Sequence, residues 1–117
     1  MAAARYDFTI EQGTDWSMTM TWKDAEGTPI DLTGFTANFQ ARERYSSSDT
    51  LINLSNEDGI VLGGVAGTIT LSLHDFQTRA MDFDAAPYSL EVKSPFPSLK
   101  TTRLLTGYIT ISPEVVK

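Results

Sequence analysis

Strict alternation of apolar and polar side chains constrains the fold of this chain more than any other feature. In residues 15–23 the even positions are large and apolar and the odd positions are small and polar, namely Trp16, Met18, Met20 and Trp22 against Ser17, Thr19 and Thr21. The same period of two runs through residues 35–42, 68–73, 88–93 and 101–111. A period of two predicts strands with one buried face. In the last segment we expect Leu105, Gly107, Ile109 and Ile111 to point inward.

Turn signals separate these runs and indicate how they are arranged. Weaker strands are predicted at residues 6–10, 51–54 and 60–62, and Gly27, Gly59 and Gly63 lie where the chain has to turn. One short helix is expected near residues 75–81. This pattern predicts an all-β fold, an antiparallel β-sandwich of immunoglobulin-like type with about seven to eight strands. A jelly-roll variant and a partly open barrel are the alternatives.

Length and composition place limits on the class of protein. At 117 residues the chain is expected to form a single domain, residues 1–117, with residues 1–5 as a flexible arm. It has no cysteine, nine basic and fifteen acidic residues, and a net charge of −6, so disulfides and nucleic-acid binding are not expected. The N-terminus lacks a signal-peptide core, and no run is apolar enough to span a membrane. We therefore expect a soluble protein with no membrane partner.

The side chains that carry chemistry are few and scattered. His74 is the only histidine, so a hydrolase triad or a histidine metal site lacks partners, and a capping or surface role is expected. Asp24, Glu26 and Asp31 cluster at one turn but do not have the spacing of a calcium loop. The sequence predicts no enzyme, no catalytic or metal-binding residues, and no cofactor.

Two features of the sequence suggest contacts with other proteins. Pro95, Phe96, Pro97 and Leu99 lie between two predicted strands, where flanking prolines would stiffen an exposed hairpin tip. The alternative is that Phe96 folds back over the end of the core. The other contact candidates are Arg5, in the expected arm, and Tyr45, in the polar loop 45–49. Threonine-rich outer strand faces fit either burial against neighbouring copies or ordinary β propensity.

Turn motifs in a fixed order carry a resemblance to a known family. They are the segments 6–13, 22–24, 29–34 with its Asp-Leu-Thr-Gly step, 58–60, 67–71, 88–92, 105–109 and 112–115. In their order over nearly the whole length, these motifs make the chain similar to small structural proteins of tailed phages, in particular to the N-terminal domain of baseplate upper proteins. That resemblance implies a β-sandwich that anchors receptor-binding parts to a phage tail, and it implies no catalytic residues.

The expected function is therefore that of a non-enzymatic virion structural protein. It would act in the tail, baseplate or fibre-attachment region through contacts with other virion proteins, as a homo-oligomer in a particle assembled in the host cytoplasm. Because the last predicted strand is followed directly by Lys117, we expect no fused receptor-binding domain. A capsid decoration protein is the first alternative. A carbohydrate-binding module is the second, and it would require Trp16 and Trp22 to be exposed, whereas their alternation predicts that they are buried.

Overall fold

A computed structural model describes residues 4–44, 46–56, 58–95 and 97–115. Within these ranges there are nine strands and one short helix, compared with the seven to eight strands predicted; every strand except the first overlaps a predicted segment. The strands are β1 (Ala4–Arg5), β2 (Phe8–Glu11), β3 (Trp16–Thr21), β4 (Thr36–Ala41), β5 (Ile52–Asn56), β6 (Gly59–Leu62), β7 (Thr68–Leu73), β8 (Ala85–Lys93) and β9 (Thr101–Ser112). Helix α1 (Asp75–Arg79) ends two residues before the predicted boundary, and a 3-10 turn (Gly64–Ala66) precedes β7.

The strands form one curled sheet that contains both parallel and antiparallel pairs. Their order is β1-β9-β8-β4-β5-β6-β7-β3, and β2 also pairs with β9. Strands β1 and β2 run parallel to β9, and β5 runs parallel to β6. The predicted all-β class is confirmed, but the sheet is mixed rather than wholly antiparallel. At the short connection between β5 and β6, Ser55 and Asp58 exchange backbone hydrogen bonds of 3.1 and 2.9 Å.

Strand β9 contains a bulge that changes which side chains face inward. Leu90 of β8 pairs with Leu105, whereas Glu91 pairs with Arg103, so Leu104 is the extra residue. An extra residue reverses the alternation beyond it, and both Leu104 and Leu105 are buried. The inward positions predicted for the C-terminal half of β9 are confirmed by the burial of Leu105, Gly107, Ile109 and Ile111. Arg103, before the bulge, is exposed.

The interior is one cluster of apolar side chains to which nearly every strand contributes. Its fully covered members include Ile10, Phe39, Ile69, Leu90 and Ile109. Trp16 and Trp22 were predicted to be core residues; they pack against this cluster but are only partly buried. Their partial exposure shows that the interior is incompletely covered along β3. No helix among the described residues is long and apolar enough to cross a membrane.

The first described residues are held by the last strand. Ala4 and Arg5, which belong to the expected arm, pair with Leu105 and Thr106; residues 1–3 lie outside the described residues. Tyr6 donates its N–H to the Thr106 carbonyl at 2.9 Å, and its own carbonyl accepts a hydrogen bond from the Tyr88 hydroxyl. This segment approaches β9 so closely because Gly107 has no side chain: a Cβ there would lie 2.3 Å from the Tyr6 carbonyl oxygen.

Tyr88 makes the stability of the fold sensitive to alkaline pH. Its side chain is 2% exposed. Burial, followed by the nearby Asp7 charge, raises the pKa of Tyr88 from 10.0 to about 12. The neutral phenol is therefore favoured in the folded state. Its stabilising contribution is complete below the pKa of the unfolded chain and is lost as pH rises through the folded pKa. We expect a loss of about 2 kcal/mol between pH 10 and 12.

The control for this prediction is Tyr88→Phe, which keeps the ring against Phe39 and Phe8 and removes the ionisable group. We expect this variant to be about 1 kcal/mol less stable at pH 8, because one hydrogen bond is lost. Its urea unfolding should lack the alkaline loss of stability that Tyr88 causes. Equal slopes of stability against pH for both proteins above pH 10 would contradict the assignment to Tyr88.

A candidate binding groove at the hairpin end of the sheet

An open groove of about 640 Å³ lies at the end of the sheet where the β8–β9 connection meets the turn after β3. We call it the hairpin groove. It is lined by Trp22, Lys23, Asp24, Ala25, Ile30, Phe35, Ser94, Ser98, Lys100, Thr101, Thr102 and Arg103. Two of the predicted features, the proline-rich tip and the acidic turn, therefore lie at the same end of the molecule.

The floor of the hairpin groove is apolar and rigidly built. The Trp22 and Phe35 rings meet edge to face, with centroids 6.3 Å apart, and Ile30 packs beside the core as well. Backbone hydrogen bonds fix this floor: Ile30 donates to the Trp22 carbonyl at 2.8 Å, and Trp22 donates to the Gly67 carbonyl at 2.9 Å. All three floor side chains are only half-buried. An apolar surface of this kind, held open by the backbone, can accept an apolar side chain from another molecule.

The Asp-Leu-Thr-Gly step singled out in the sequence supports one end of the groove. The Thr33 hydroxyl and backbone N–H donate to the Asp31 carboxylate at 2.6 and 3.0 Å, and these hydrogen bonds lower the pKa of Asp31. Leu32 is buried in the core, so the turn is anchored from below. Gly34 adopts a φ of +82°, and a Cβ there would lie 3.3 Å from Pro95. The base of the hairpin tip, at Pro95, therefore packs closely against this step.

The hairpin tip stands out from the sheet as the sequence predicts. Pro95, Pro97 and Leu99 are all exposed, and Leu99 is 51% exposed with a φ of +46°. Ser94 closes the tip, because its N–H donates to the Lys100 carbonyl at 2.9 Å and its hydroxyl accepts from the Lys100 N–H at 2.7 Å. Phe96 lies outside the described residues, so the structure does not bear on whether its side chain is exposed or folds back over the core.

The walls of the groove carry more positive than negative charge, although the chain as a whole is acidic. Lys23, Lys100 and Arg103 face one carboxylate, Asp24. That carboxylate already accepts hydrogen bonds from the backbone N–H groups of Glu26 and Thr28, at 3.0 and 2.9 Å. Arg103 pairs with Glu91 at 3.4 Å. Within the described part of the chain, Lys23 and Lys100 form no ion pair. The groove therefore suits an apolar group flanked by carboxylates.

The remaining contact candidates are not part of this groove. Arg5 lies next to the first half of β9, where it pairs with Asp7 at 3.4 Å and its guanidinium lies 5.8 Å from the centre of the Tyr108 ring. Tyr45 lies outside the described residues. The structure therefore brings together Pro95, Pro97 and Leu99 from the predicted set and leaves Arg5 on a separate surface.

A polar junction that the sequence pattern did not predict lies at the opposite end of the molecule. The buried Thr78 hydroxyl accepts from the Gly13 N–H at 3.0 Å and reaches the Thr14 carbonyl at 2.8 Å. Gln12 donates to the Met81 carbonyl at 2.8 Å and accepts from the Glu114 N–H at 2.9 Å. Only the position of Gln12 before a turn glycine hinted at this role. His74 occupies the helix-capping position expected for it, and its N–H donates to the Gln77 side chain at 2.7 Å.

Within the described ranges, no group of three or more His, Cys, Asp or Glu side chains is placed to hold a metal ion. The site is therefore best characterised by its shape, its apolar floor and its basic walls.

Comparison of the chain with models of protein families and with curated proteins gives no significant match.

Proposed function

We propose that this chain is a non-enzymatic structural protein of a tailed-phage particle, which binds a neighbouring virion protein in the hairpin groove. The observation that carries the proposal is the half-buried floor of Trp22, Ile30 and Phe35 beneath basic walls. Exposed apolar surface held open on a rigid sheet is typical of a site for protein contacts. The order of the turn motifs, which resembles that of the baseplate upper protein family, supports the assignment to a tailed-phage particle.

The finer fold assignment belongs to the same proposal. We infer an immunoglobulin-like sandwich, in which the curled sheet folds into two facing layers. The single apolar cluster between β2, β4, β7, β8 and β9 supports this inference. So does the stacking of Phe8 in β2 on Trp16 in β3, with centroids 5.2 Å apart, because these strands lie at opposite ends of the sheet order. Such a body presents its loops at its two ends, where the hairpin groove lies.

The groove chemistry indicates what kind of segment it binds. Its floor would take a large apolar side chain, and Lys100 would pair with an acidic residue beside it. We propose that this segment belongs to a tail, baseplate or fibre component, and that the chain is present in several copies in the virion. Capsid decoration uses the same kind of contact, with the shell as the partner.

The test is to fill the groove without touching the core. Ser98 is exposed and lines the groove, so Ser98→Trp is expected to leave folding unchanged and to block the floor. In cells that produce the particles, we expect incorporation of the variant into purified particles to fall at least about tenfold, which corresponds to about 1.4 kcal/mol of lost contact energy. Quantitative immunoblotting of purified particles measures the incorporation.

Thr110→Trp is the matched control. Thr110 is also exposed, and it lies on β9 seven residues beyond Arg103, roughly 23 Å along the strand. This variant adds the same side chain away from the groove and should be incorporated like the wild type. Equal incorporation of Ser98→Trp and wild type would exclude the groove as the contact site. Absence of the wild-type chain from particles would overturn the proposed function itself.

A further inference from the structure

The two ends of the sheet differ in how they are protected against further strand pairing. One end is formed by β1 and β2, which are short, are separated by two residues, and carry Arg5, Asp7 and Glu11 in or between them. The other end is β3, which is continuous over Trp16–Thr21 and contains no charged residue. Charges and interruptions discourage edge pairing. The edge of β3 lacks both devices.

The backbone of β3 leaves half of its hydrogen-bonding groups directed away from the sheet. Trp22 donates its N–H to Gly67 on the β7 side, and Trp16–Thr21 pair with Leu73–Thr68 in the same register. In an antiparallel pair, the backbone groups of alternate residues point to the partner strand and those of the others point away. The N–H and C=O groups of Ser17, Thr19 and Thr21 therefore face the open edge.

The inward side chains of β3 are also less covered than those of its partner strand. Met18 and Met20 are half-buried, whereas Leu71 and Ile69, which pair with them in β7, are fully buried. The difference follows from the position of β3 at the end of the sheet, where none of the described strands pairs with its second side. An added strand would supply both the missing backbone bonds and the missing apolar neighbours.

We propose that the occupant of this edge is β3 of a second copy of the chain, paired antiparallel about a two-fold axis through Thr19. In this register Asp15 of each copy lies opposite Lys23 of the other, and Met18 lies beside Met20. Asp15 and Lys23 are both exposed and have opposite charges. One oxygen of the Asp15 carboxylate accepts from the Asp75 N–H at 2.8 Å, and the other is the acceptor for Lys23 of the second copy, so the symmetric pair contains two ion pairs. This charge complementarity, built into one strand, identifies the partner as a second copy.

The same residues exclude the neighbouring registers. A slip by one residue would place outward backbone groups opposite inward ones and reverse the faces. Moving the centre to Met18 places Asp15 opposite Thr21, and moving it to Met20 places Lys23 opposite Ser17, so each leaves the charges without partners. The register centred on Thr19 alone aligns both charged residues and keeps all the apolar side chains on one face of the continuous sheet.

This inference rests on the proposed assembly role, since it names one partner within that role, but its test has a separate readout. Sedimentation velocity of the purified full-length chain over a range of concentrations measures the dissociation constant of the dimer, called the dimer constant below. We expect a wild-type dimer and a monomeric Thr19→Pro variant. Proline removes the central N–H, which points away from β7, and is tolerated on an edge strand. Circular dichroism checks that the variant is folded.

Charge exchange provides a test that does not depend on proline. Lys23→Glu and Asp15→Lys are each expected to weaken self-association at least about tenfold, because like charges then face each other. Asp15→Lys also removes the acceptor of the Asp75 N–H, so circular dichroism first checks that this variant is folded. An equimolar mixture of the two variants should dimerise again, since every facing pair is once more of opposite charge. Lys93→Glu, the same charge change on the central strand β8, should leave the dimer constant unchanged.

A wild-type chain that is monomeric at all concentrations would overturn the inference, as would a dimer that persists in Thr19→Pro or a mixture that fails to restore pairing. None of these outcomes affects the incorporation test of the hairpin groove. Conversely, normal incorporation of Ser98→Trp would refute the groove as the contact site. It would not change the interpretation of the dissociation constant measured for the dimer.

Discussion

Replacing Gly107 by alanine should destabilise the protein by about 3 kcal/mol, through a clash with the backbone rather than through loss of a contact. A Cβ at this position would lie 2.3 Å from the Tyr6 carbonyl oxygen and 2.7 Å from the Asp7 carboxylate. Neither can retreat easily, because the Asp7 carboxylate accepts from the Tyr108 N–H at 2.9 Å and the Tyr6 carbonyl accepts from the buried Tyr88 hydroxyl. We expect β1 to separate from β9.

Gly27→Ala is the matched control for this prediction. Gly27 has a φ of +83° and open space around the position of a Cβ, so alanine there adds only backbone strain of about 1–2 kcal/mol. Urea unfolding measures both losses, and hydrogen exchange at the Tyr6 amide reports the pairing with Thr106. A loss at Gly107 no larger than that at Gly27, with Tyr6 still protected, would show that the N-terminal segment does not pack against β9 in this way.

Thr78→Val should cost a similar amount, about 3 kcal/mol, although it keeps the shape of the side chain. Thr78 is fully buried, and its hydroxyl is the acceptor for the Gly13 N–H and a donor within reach of the Thr14 carbonyl. Valine leaves both backbone groups without these partners. Unsatisfied groups of this kind cost about 1–3 kcal/mol each. Because the hydroxyl joins α1 to the turn between β2 and β3, the turn should lose order as well.

Thr110→Val is the control, since it makes the same chemical change at an exposed position of β9 and should alter stability by no more than about 0.5 kcal/mol. Thermal unfolding of the two variants is a sufficient measurement. If Thr78→Val unfolds at the same temperature as Thr110→Val, the junction between α1 and the β2–β3 turn does not depend on this hydroxyl.

The strands were predictable because alternation is a local property of the sequence. Trp16–Thr21 and Thr36–Ala41 lie within one or two residues of the alternating segments, since each has one face against the core. The pairing of the strands is not local. Nothing in residues 4–11 indicates that they run parallel to β9, since the contact depends on a glycine about a hundred residues away. The bulge at Leu104 likewise depends on β8 as much as on β9.

The candidate site was predictable in part. The prolines on either side of position 96 correctly indicated an exposed tip at Pro95 and Pro97. The groove beside it was missed, because alternation assigned Trp22 to the core without showing that the sheet ends there. Burial depends on which strands cover a face, and among the described strands β3 has a neighbour on one side only. The same fact leaves Met18 and Met20 half-covered, and both the groove and the proposed dimer edge follow from it.

Cryo-electron microscopy of tailed particles purified from cells that express this chain would show whether a neighbouring virion protein occupies the hairpin groove. We expect density for the chain at the tail or baseplate, with a large apolar side chain of a neighbouring protein packed on Trp22 and Phe35 and an acidic residue facing Lys100. Density on the capsid shell would establish the decoration role instead. Particles that contain no copy of the chain would contradict the proposed virion role. A copy whose hairpin groove faces solvent would contradict the groove as the contact site.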